Sequence, residues 1–344
     1  MGKLRSIAGE ARARVKVHLR RGNRLERALY FGLFSSAYRR EKLVIARGHQ
    51  EYTRRRNAAR LPYLLRRNIH MLEKGLSMRP RRETFALAYI EETIELLSGM
   101  VANQDGVVSD GEIGWAREVL DRFIDATANS AAPEIGRARD EYAKIVWQTP
   151  ACPESGPHNP PIGDSPVAID DLIALAERRK SIRWYTDQVV PQDVIDRAMQ
   201  VAGQAPSACN RQPFTFRFFD DPEMVSKIVK VPMGTAGYGQ NLRQIGVIVG
   251  DLSAFIDERD RHLIYIDGSL AAMGLLLGLE SQGVSSVCIN WPDIADKDRK
   301  MSELLGLAPH ERVVMLVGFG YADHSGLTPY SEKRELADLR RFNR

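Results

Sequence analysis

Cysteine is scarce. The chain has three in 344 residues, at positions 152, 209 and 288, and no CxxC pair. That excludes a disulfide framework and a cysteine zinc site, and it fits a reducing cytoplasm. The longest strongly apolar stretches, around Ser269–Leu279 and Arg312–Phe319, fall short of the roughly 18 residues a membrane span needs. The N-terminus has neither an apolar h-region nor a small-residue cleavage site, so no secretory signal is expected. No GxGxxG follows a strand, and GxxxxGK[ST], HExxH and GxSxG do not occur. These absences remove the common dinucleotide, P-loop, zincin and α/β-hydrolase signatures. The glycine-rich piece Gly234–Gly239 lacks phosphate-loop spacing and reads as a loop. No metal-ligand constellation is present.

The net charge of +5 conceals an asymmetry. Residues 1–60 hold 17 Lys/Arg and four Glu, a local +13, which leaves −8 for the rest. The basic balance therefore belongs to an N-terminal arm in which Arg alternates with Leu, Val, Tyr and Phe. Three readings follow: a helix that is solvated or docks a protein partner, a helix on an anionic membrane surface, or a nucleic-acid tether. The last is the least supported, since no DNA- or RNA-binding motif accompanies the arm.

Six of the 17 prolines fall between Thr149 and Pro166. Proline removes backbone donors and restricts the residue before it, so this stretch predicts an extended linker and a domain boundary. The expected organisation is a basic helical arm over 1–60, a helical domain over 61–148, the linker over 149–166 and a second domain over 167–344. Before the linker, apolar residues recur at three- and four-residue spacing over Leu61–Leu76, Thr84–Met100 and Gly111–Ala126, with a fourth helix over Arg137–Trp147. After it, Ser165-Pro166 predicts a helix start for Val167–Arg179, and Pro191–Ala202 is amphipathic. Phe214–Asp220, Gln244–Asp251, Val284–Asn290 and Arg312–Phe319 read as strands. Ile266–Gln282, apolar nearly all round, reads as a buried central helix. The fold class expected is α+β, preceded by an all-helical N-terminal domain.

Two segments carry chemistry. Arg178–Arg183 (RRKSIR) gathers four cations and a hydroxyl at a helix end, a set suited to a phosphate and a polarised carbonyl, or simply to a helix C-terminus. Ala205–Phe214 (APSACNRQPF) offers Ser, Asn and Gln donors and acceptors that suit the imide edge of a heteroaromatic ring; Pro, Ser and Asn are also ordinary turn residues. A third polar cluster, Arg67–Ser77 (RNIHMLEKGLS), puts His70 and Glu73 three apart on one helix face, where they could pair, bind a metal or touch substrate; a capped salt-bridge cluster is the simplest form. Cys209 and Cys288, outside any CxxC, read as small hydrophobes rather than redox thiols.

The order and spacing of the first two segments resemble the nitroreductase superfamily, whose members carry R-[RH]-S-x-[RK] followed by P-S-x-x-N-x-Q-P-W. Here the first reads Arg179-Lys180-Ser181-Ile182-Arg183, and Phe214 stands at the usual tryptophan. Asp267 through Gly283 resembles the family's long central helix and its glycine turn, Val313–Tyr321 its last core strand, and Lys333-Arg334 a basic pair near the C-terminus. The resemblance covers Asp171–Phe342. It implies a nitroreductase-like antiparallel or mixed sheet flanked by helices, bound FMN, NADH or NADPH as electron donor, a small-molecule acceptor, a ping-pong cycle and a homodimer with the cofactor at the subunit interface.

The same resemblance implies site roles. Arg179, Lys180, Ser181, Lys333 and Arg334 would hold the phosphate and ribityl end. Arg183, near the ring's N1/O2 edge, and Asn210 are the catalytic candidates. Pro206, Ser207, Asn210 and Gln212 would line the ring, and Cys288, Ile289 and Asn290 would place backbone near N5. The Arg67–Ser77 segment resembles nitroreductase-like proteins linked to polysaccharide synthesis. Two other readings of the same fold are a scaffold protein tethered by its basic arm to a membrane-associated or nucleic-acid assembly, and a specialised flavin oxidase or dehydrogenase; the location expected is cytoplasmic, at most peripheral to the inner membrane face.

Overall fold

Helix starts in the first half are fixed by local capping chemistry. In the computed structural model, which describes residues 14–103 and 106–343, Ser35 caps α1 (Ser36–Asn57) and Pro62 opens α2 (Pro62–Leu76). α3 spans Ile90–Asn103. Ser109 and Glu112 form a reciprocal capping box on α4 (Asp110–Ala126). Pro133 sits in the first turn of α5 (Pro133–Tyr142). The apolar faces of α2 to α5 close on one core that includes Leu61, Leu65, Ile69, Leu97, Leu120 and Phe123. Phe85 meets Phe123 edge-on at 5.0 Å between ring centroids.

Two of these helices differ from the periodicity. α3 begins at Ile90 rather than Thr84, because Ala86 takes a φ of 66°, outside any right-handed helix. α5 runs over Pro133–Tyr142 rather than Arg137–Trp147: proline sets its start, and Tyr142 turns its hydroxyl to Asp121 (2.8 Å). The proline-rich stretch is extended apart from one turn at Pro153–Ser155, and Arg122 ties it to α4 through the carbonyls of Pro153 and Pro157.

The second half is a four-stranded antiparallel sheet in the order β1 (Phe214–Phe219), β2 (Gln244–Asp251), β4 (Glu311–Gly320), β3 (Ser285–Asn290). β2 is buried throughout. Its alternate residues Ile245, Val247 and Val249 face α8 (Pro222–Val229) and α10 (Ala295–Leu305), through Ile228 and Met301. Ile248 faces the long helix α9 (Leu263–Glu280) on the other side. α6 (Ile169–Arg178) starts two residues later than the sequence predicts, since Ser165 closes a local turn on Val167 instead of capping a helix.

By length and composition alone the stretch Glu258–Glu280 could cross a membrane, but half of it is buried in this fold. α9 lies between the sheet and α7 (Gln192–Gly203). A Cβ on Gly274 or Gly278 would come within 3.0 Å of Ala202 Cα and 2.9 Å of Ala198 Cα respectively. The two backbones therefore touch, and only small residues at four-residue spacing permit it.

The basic arm is not uniformly solvated. Residues 14–34 are helical or turned, and the short helix Arg24–Leu29 buries nothing. α1, in contrast, seats Val44 against Leu252, Ala254, Phe255 and Ile264 of the second half. Arg40 pairs with Asp293 and Asp298, which also hold Arg312. Nearby, buried Asp251 accepts from Tyr63 Oη (3.0 Å) and the Ser253 N–H (2.8 Å), with Arg55 at 3.4 Å.

Candidate functional site

The basic segment leaves α6 at Arg178 and runs along the start of β3. Ser181 makes a single parallel bridge with Ser286, and the Ile182 N–H donates to Ser286 O (3.0 Å). Arg178 turns away to the buried Glu280 carboxylate (2.9 Å), so one of the four cations is spent on the fold. The others remain. Arg179, Lys180, Ser181 and Arg183 meet Tyr330, Ser331 and Lys333 of the C-terminal tail around a cavity of about 400 Å³.

Lys180 lies 6.0 Å from the Tyr330 ring centroid and Arg183 lies 5.6 Å from that of Tyr238. Asn241 Nδ2 donates to Arg183 O (2.8 Å) and fixes that backbone. None of Arg179, Lys180, Arg183 and Lys333 has a carboxylate at ion-pair distance among the described residues, and Glu177 is the acidic residue on the cavity wall. Beside Ser181, the fully buried Ser286 hydroxyl has no partner. An uncompensated cationic pocket with spare hydroxyls is a phosphate cradle in its donor set.

Cys288 lies on β3 close enough to Arg179 for charge coupling: desolvation raises its thiol, and the Arg179 charge opposes the rise. Ile289 is buried, and Asn290 ends the strand with its side chain exposed. Arg334 is not on the cavity wall; it is exposed and donates to Asp338 O (3.0 Å).

The second motif is a tight, internally bonded loop. Cys209, Asn210 and Gln212 all take positive φ, near 52–54°. Ser207 Oγ accepts the Gln212 N–H (3.1 Å), Ser207 O accepts the Asn210 N–H (3.0 Å), and Gln212 Nε2 donates to Asn210 Oδ1 (3.1 Å). Pro206 is exposed at its edge. The Ala208 N–H is held by Asp267 of α9 (3.0 Å).

Within one chain the two motifs do not meet. Phe214, next to the loop, pairs through Gly250 to Arg312 at the start of β4; Ser181 pairs through Ser286 to Phe319 at its end. Seven residues of strand at roughly 3.3 Å each put the two rows about 23 Å apart.

His70 takes the paired form, its Nδ1 3.3 Å from Glu73 Oε2, while Trp115 Nε1 donates to the other Glu73 oxygen (2.9 Å). Sequence reasoning missed Tyr330 as a cavity wall, Tyr238 as the ring beside Arg183 and Asp267 as the loop's anchor. Asp267 lies in the second turn of α9, which starts at Leu263 rather than Ile266, and an acid that cannot be solvated there signals a partner. Reasoning from sequence also passed over a larger cavity of about 880 Å³ bordered by Gly234–Gly239, α8 and the start of β2. Its wall is largely apolar, and Arg243 there is tied to Asp187 (2.6 Å), so it offers no comparable cradle.

The second half is an α+β domain, a helix-flanked antiparallel sheet with an arginine-serine pocket at one end and a Pro-Ser-Asn-Gln loop at the other. Comparison with known proteins assigns it further. The nitroreductase family model matches residues 176–241 and 243–321, so the C-terminal domain, not the whole chain, carries the resemblance to that family. By that match it is an oxidoreductase.

The chain is 26% identical over 197 residues to iodotyrosine deiodinase 1 of Pongo abelii, covering 49% of this chain and 67% of that one. It is 26% identical over 194 residues to an NADH dehydrogenase of Thermus thermophilus, covering 47% and 92%. Among solved structures, an FMN-dependent nitroreductase from Clostridium difficile matches with a TM-score of 0.42 and 23% identity, over 50% of this chain and 99% of that one.

Proposed function

We propose that this protein is an FMN-dependent oxidoreductase, homodimeric, that takes reducing equivalents from NADH or NADPH and delivers them to a small-molecule acceptor in a ping-pong cycle. The observation that carries this reading is the cradle of Arg179, Lys180, Ser181 and Lys333, whose cations have no carboxylate partners among the described residues, in a domain that matches the nitroreductase family. FMN, when bound, supplies hydride chemistry at its N5.

The chain's residues would do the rest. Arg179, Lys180, Ser181 and Lys333 neutralise and hydrogen-bond a phosphate. Arg183, its guanidinium set between Ser181 O and the Tyr238 ring, supplies a cation that favours negative charge on the ring edge. Ser207, Asn210 and Gln212 present donors and acceptors in a loop stiffened by its own hydrogen bonds, and residues 288–290 supply strand-edge backbone.

Two findings support the dimer. The cradle and the ring loop lie at opposite ends of β4, so a second copy brings one chain's loop to the other's cradle. α9 also exposes Ile266, Leu270 and Met273 along one face, and α6 leaves Ile169, Leu172 and Ile173 exposed. We assign residues 14–34, where Leu25, Leu29 and Leu33 are exposed among arginines, to docking on a protein partner or an anionic membrane from the cytoplasm.

The test is the absorption spectrum of the purified full-length protein, followed by anaerobic titration with NADH and NADPH. A yellow protein bleached by one nucleotide and re-oxidised by a nitroaromatic or an iodotyrosine is the expected result. A colourless protein that gains no FMN on reconstitution overturns the reading.

A further inference from the structure

The polar face of α2 lies on the ring loop. α2 packs against the turn Ala208–Asn210, and Arg66 fixes the contact, donating from Nη1 to Arg211 O (3.3 Å) and from Nε to Glu112 (2.5 Å). The arginines around this junction are compensated: Arg55 by Glu51 and Asp251, Arg56 by Glu92, Arg66 by Glu112. Two are not. Arg67 donates to Asn68 Oδ1 on its own helix (2.7 Å). Arg211 donates to Ala208 O at 3.4 Å, lies 5.2 Å from the Phe255 ring centroid, and keeps a buried Nε without a partner. Neither has a carboxylate at ion-pair distance among the described residues.

The two guanidiniums sense each other. Burial pulls Arg211 below the ordinary guanidinium range, and Arg67 adds to that while Cys209 and Asp260 oppose it. Beside them the fully buried Asn68 has an amide nitrogen with no acceptor. A half-buried guanidinium with an unused donor beside a second cation is costly until an anion joins them.

We propose that Arg67 and Arg211 bind an oxyanion of the acceptor, a carboxylate or a phosphate, at the junction of the helical domain and the ring loop. The helical domain then selects the substrate: it adds one of two guanidiniums beside the loop that would line the reacting ring. The inference rests on the oxidoreductase reading for what the anion belongs to. The anion site itself does not: it stands on the packing of α2 against the loop and on the unpaired donors of Arg211 and Asn68 among the described residues.

The experiment compares 4-nitrobenzoate and 4-nitrophenyl phosphate with neutral 4-nitrobenzyl alcohol as acceptors for the full-length, FMN-loaded protein. Arg67→Gln is expected to raise KM for the preferred anion by about tenfold, the value of one charge-assisted contact, with FMN content and the KM for the alcohol unmoved. Arg67→Lys, which keeps the charge, is expected to retain most of the preference. Equal changes for charged and neutral acceptors, in protein that retains FMN, overturn the proposal. A second arm needs no flavin: at fixed ionic strength, sulfate in place of chloride should raise the Tm of the wild type more than that of Arg67→Gln. Equal protection of both proteins also overturns the site. A chain that binds no FMN defeats the oxidoreductase reading, and the sulfate arm still decides the anion site.

Discussion

Asp267 Oδ2 accepts the backbone N–H of Ala208 at 3.0 Å, from a residue only 2% exposed near the start of the central helix. This bond ties the Ser207–Gln212 loop to the core of the second half. Removing the acceptor in Asp267→Ala leaves a buried N–H unpaired, and should cost about 1–3 kcal/mol in urea denaturation.

Burial raises the Asp267 carboxyl, while the Ala208 N–H and Arg211 act against it. A carboxyl raised in the folded state binds its proton more tightly there, so its contribution to stability falls as pH rises past the ordinary aspartate value of about 3.9. Asp267→Asn keeps an acceptor oxygen and has no such loss. Its stability relative to wild type should improve between pH 3 and pH 7; a constant difference would show that folding does not raise the carboxyl.

Asp251 joins the halves of the chain, receiving Tyr63, Arg55 and the Ser253 N–H. Burial first, and then the Asp251 charge, hold the Tyr63 hydroxyl protonated well above its ordinary range. Asp251→Ala strands these donors and should destabilise by about 3–5 kcal/mol. Tyr63→Phe should cost less, and the double variant should fall short of the sum. Strict additivity would mean that the two side chains act independently.

Glu51 on α1 is held down to about 2 from 4.5, chiefly by hydrogen bonding from Arg54, with burial opposing and Arg55 assisting. A depressed carboxylate contributes stability that is complete above about 4.5 and lost as pH falls through about 2. The advantage of wild type over Glu51→Gln should therefore shrink across that interval in acid unfolding. An advantage that persists unchanged at the acid end would assign it to packing.

Arg183, on the proposed reading, supplies the cation beside the flavin ring edge. Arg183→Ala should weaken FMN retention by roughly tenfold and lower the flavin reduction potential. Equilibrium dialysis and a dye-coupled redox titration measure both. If neither moves, the Arg179–Arg183 segment does not face the ring.

The sequence by itself determined the elements whose signals are local. Apolar spacing along Leu61–Leu76 and Ile266–Gln282, alternation along Phe214–Asp220, and proline density over 149–166 act within a few residues of each position. The two chemical motifs were legible for a related reason: Arg-Lys-Ser-x-Arg and Pro-Ser-x-x-Asn-x-Gln-Pro are more particular than a helix end or a turn requires. Ala86 defeated the periodicity of α3, because a single left-handed residue overrides an apolar pattern that runs through it.

Tertiary structure alone decided how these pieces combine. Arg178 and Arg179 are adjacent and alike in sequence, yet Glu280, 102 residues on from Arg178, takes that residue and leaves Arg179 to the cavity. The two motifs lie close in sequence but at opposite ends of β4, because strand register, not chain proximity, sets their separation. α2 meets the ring loop through Arg66 and Arg211, 145 residues apart. Which charges are compensated and which remain open depends on such long-range neighbours, and a local sequence pattern does not contain them.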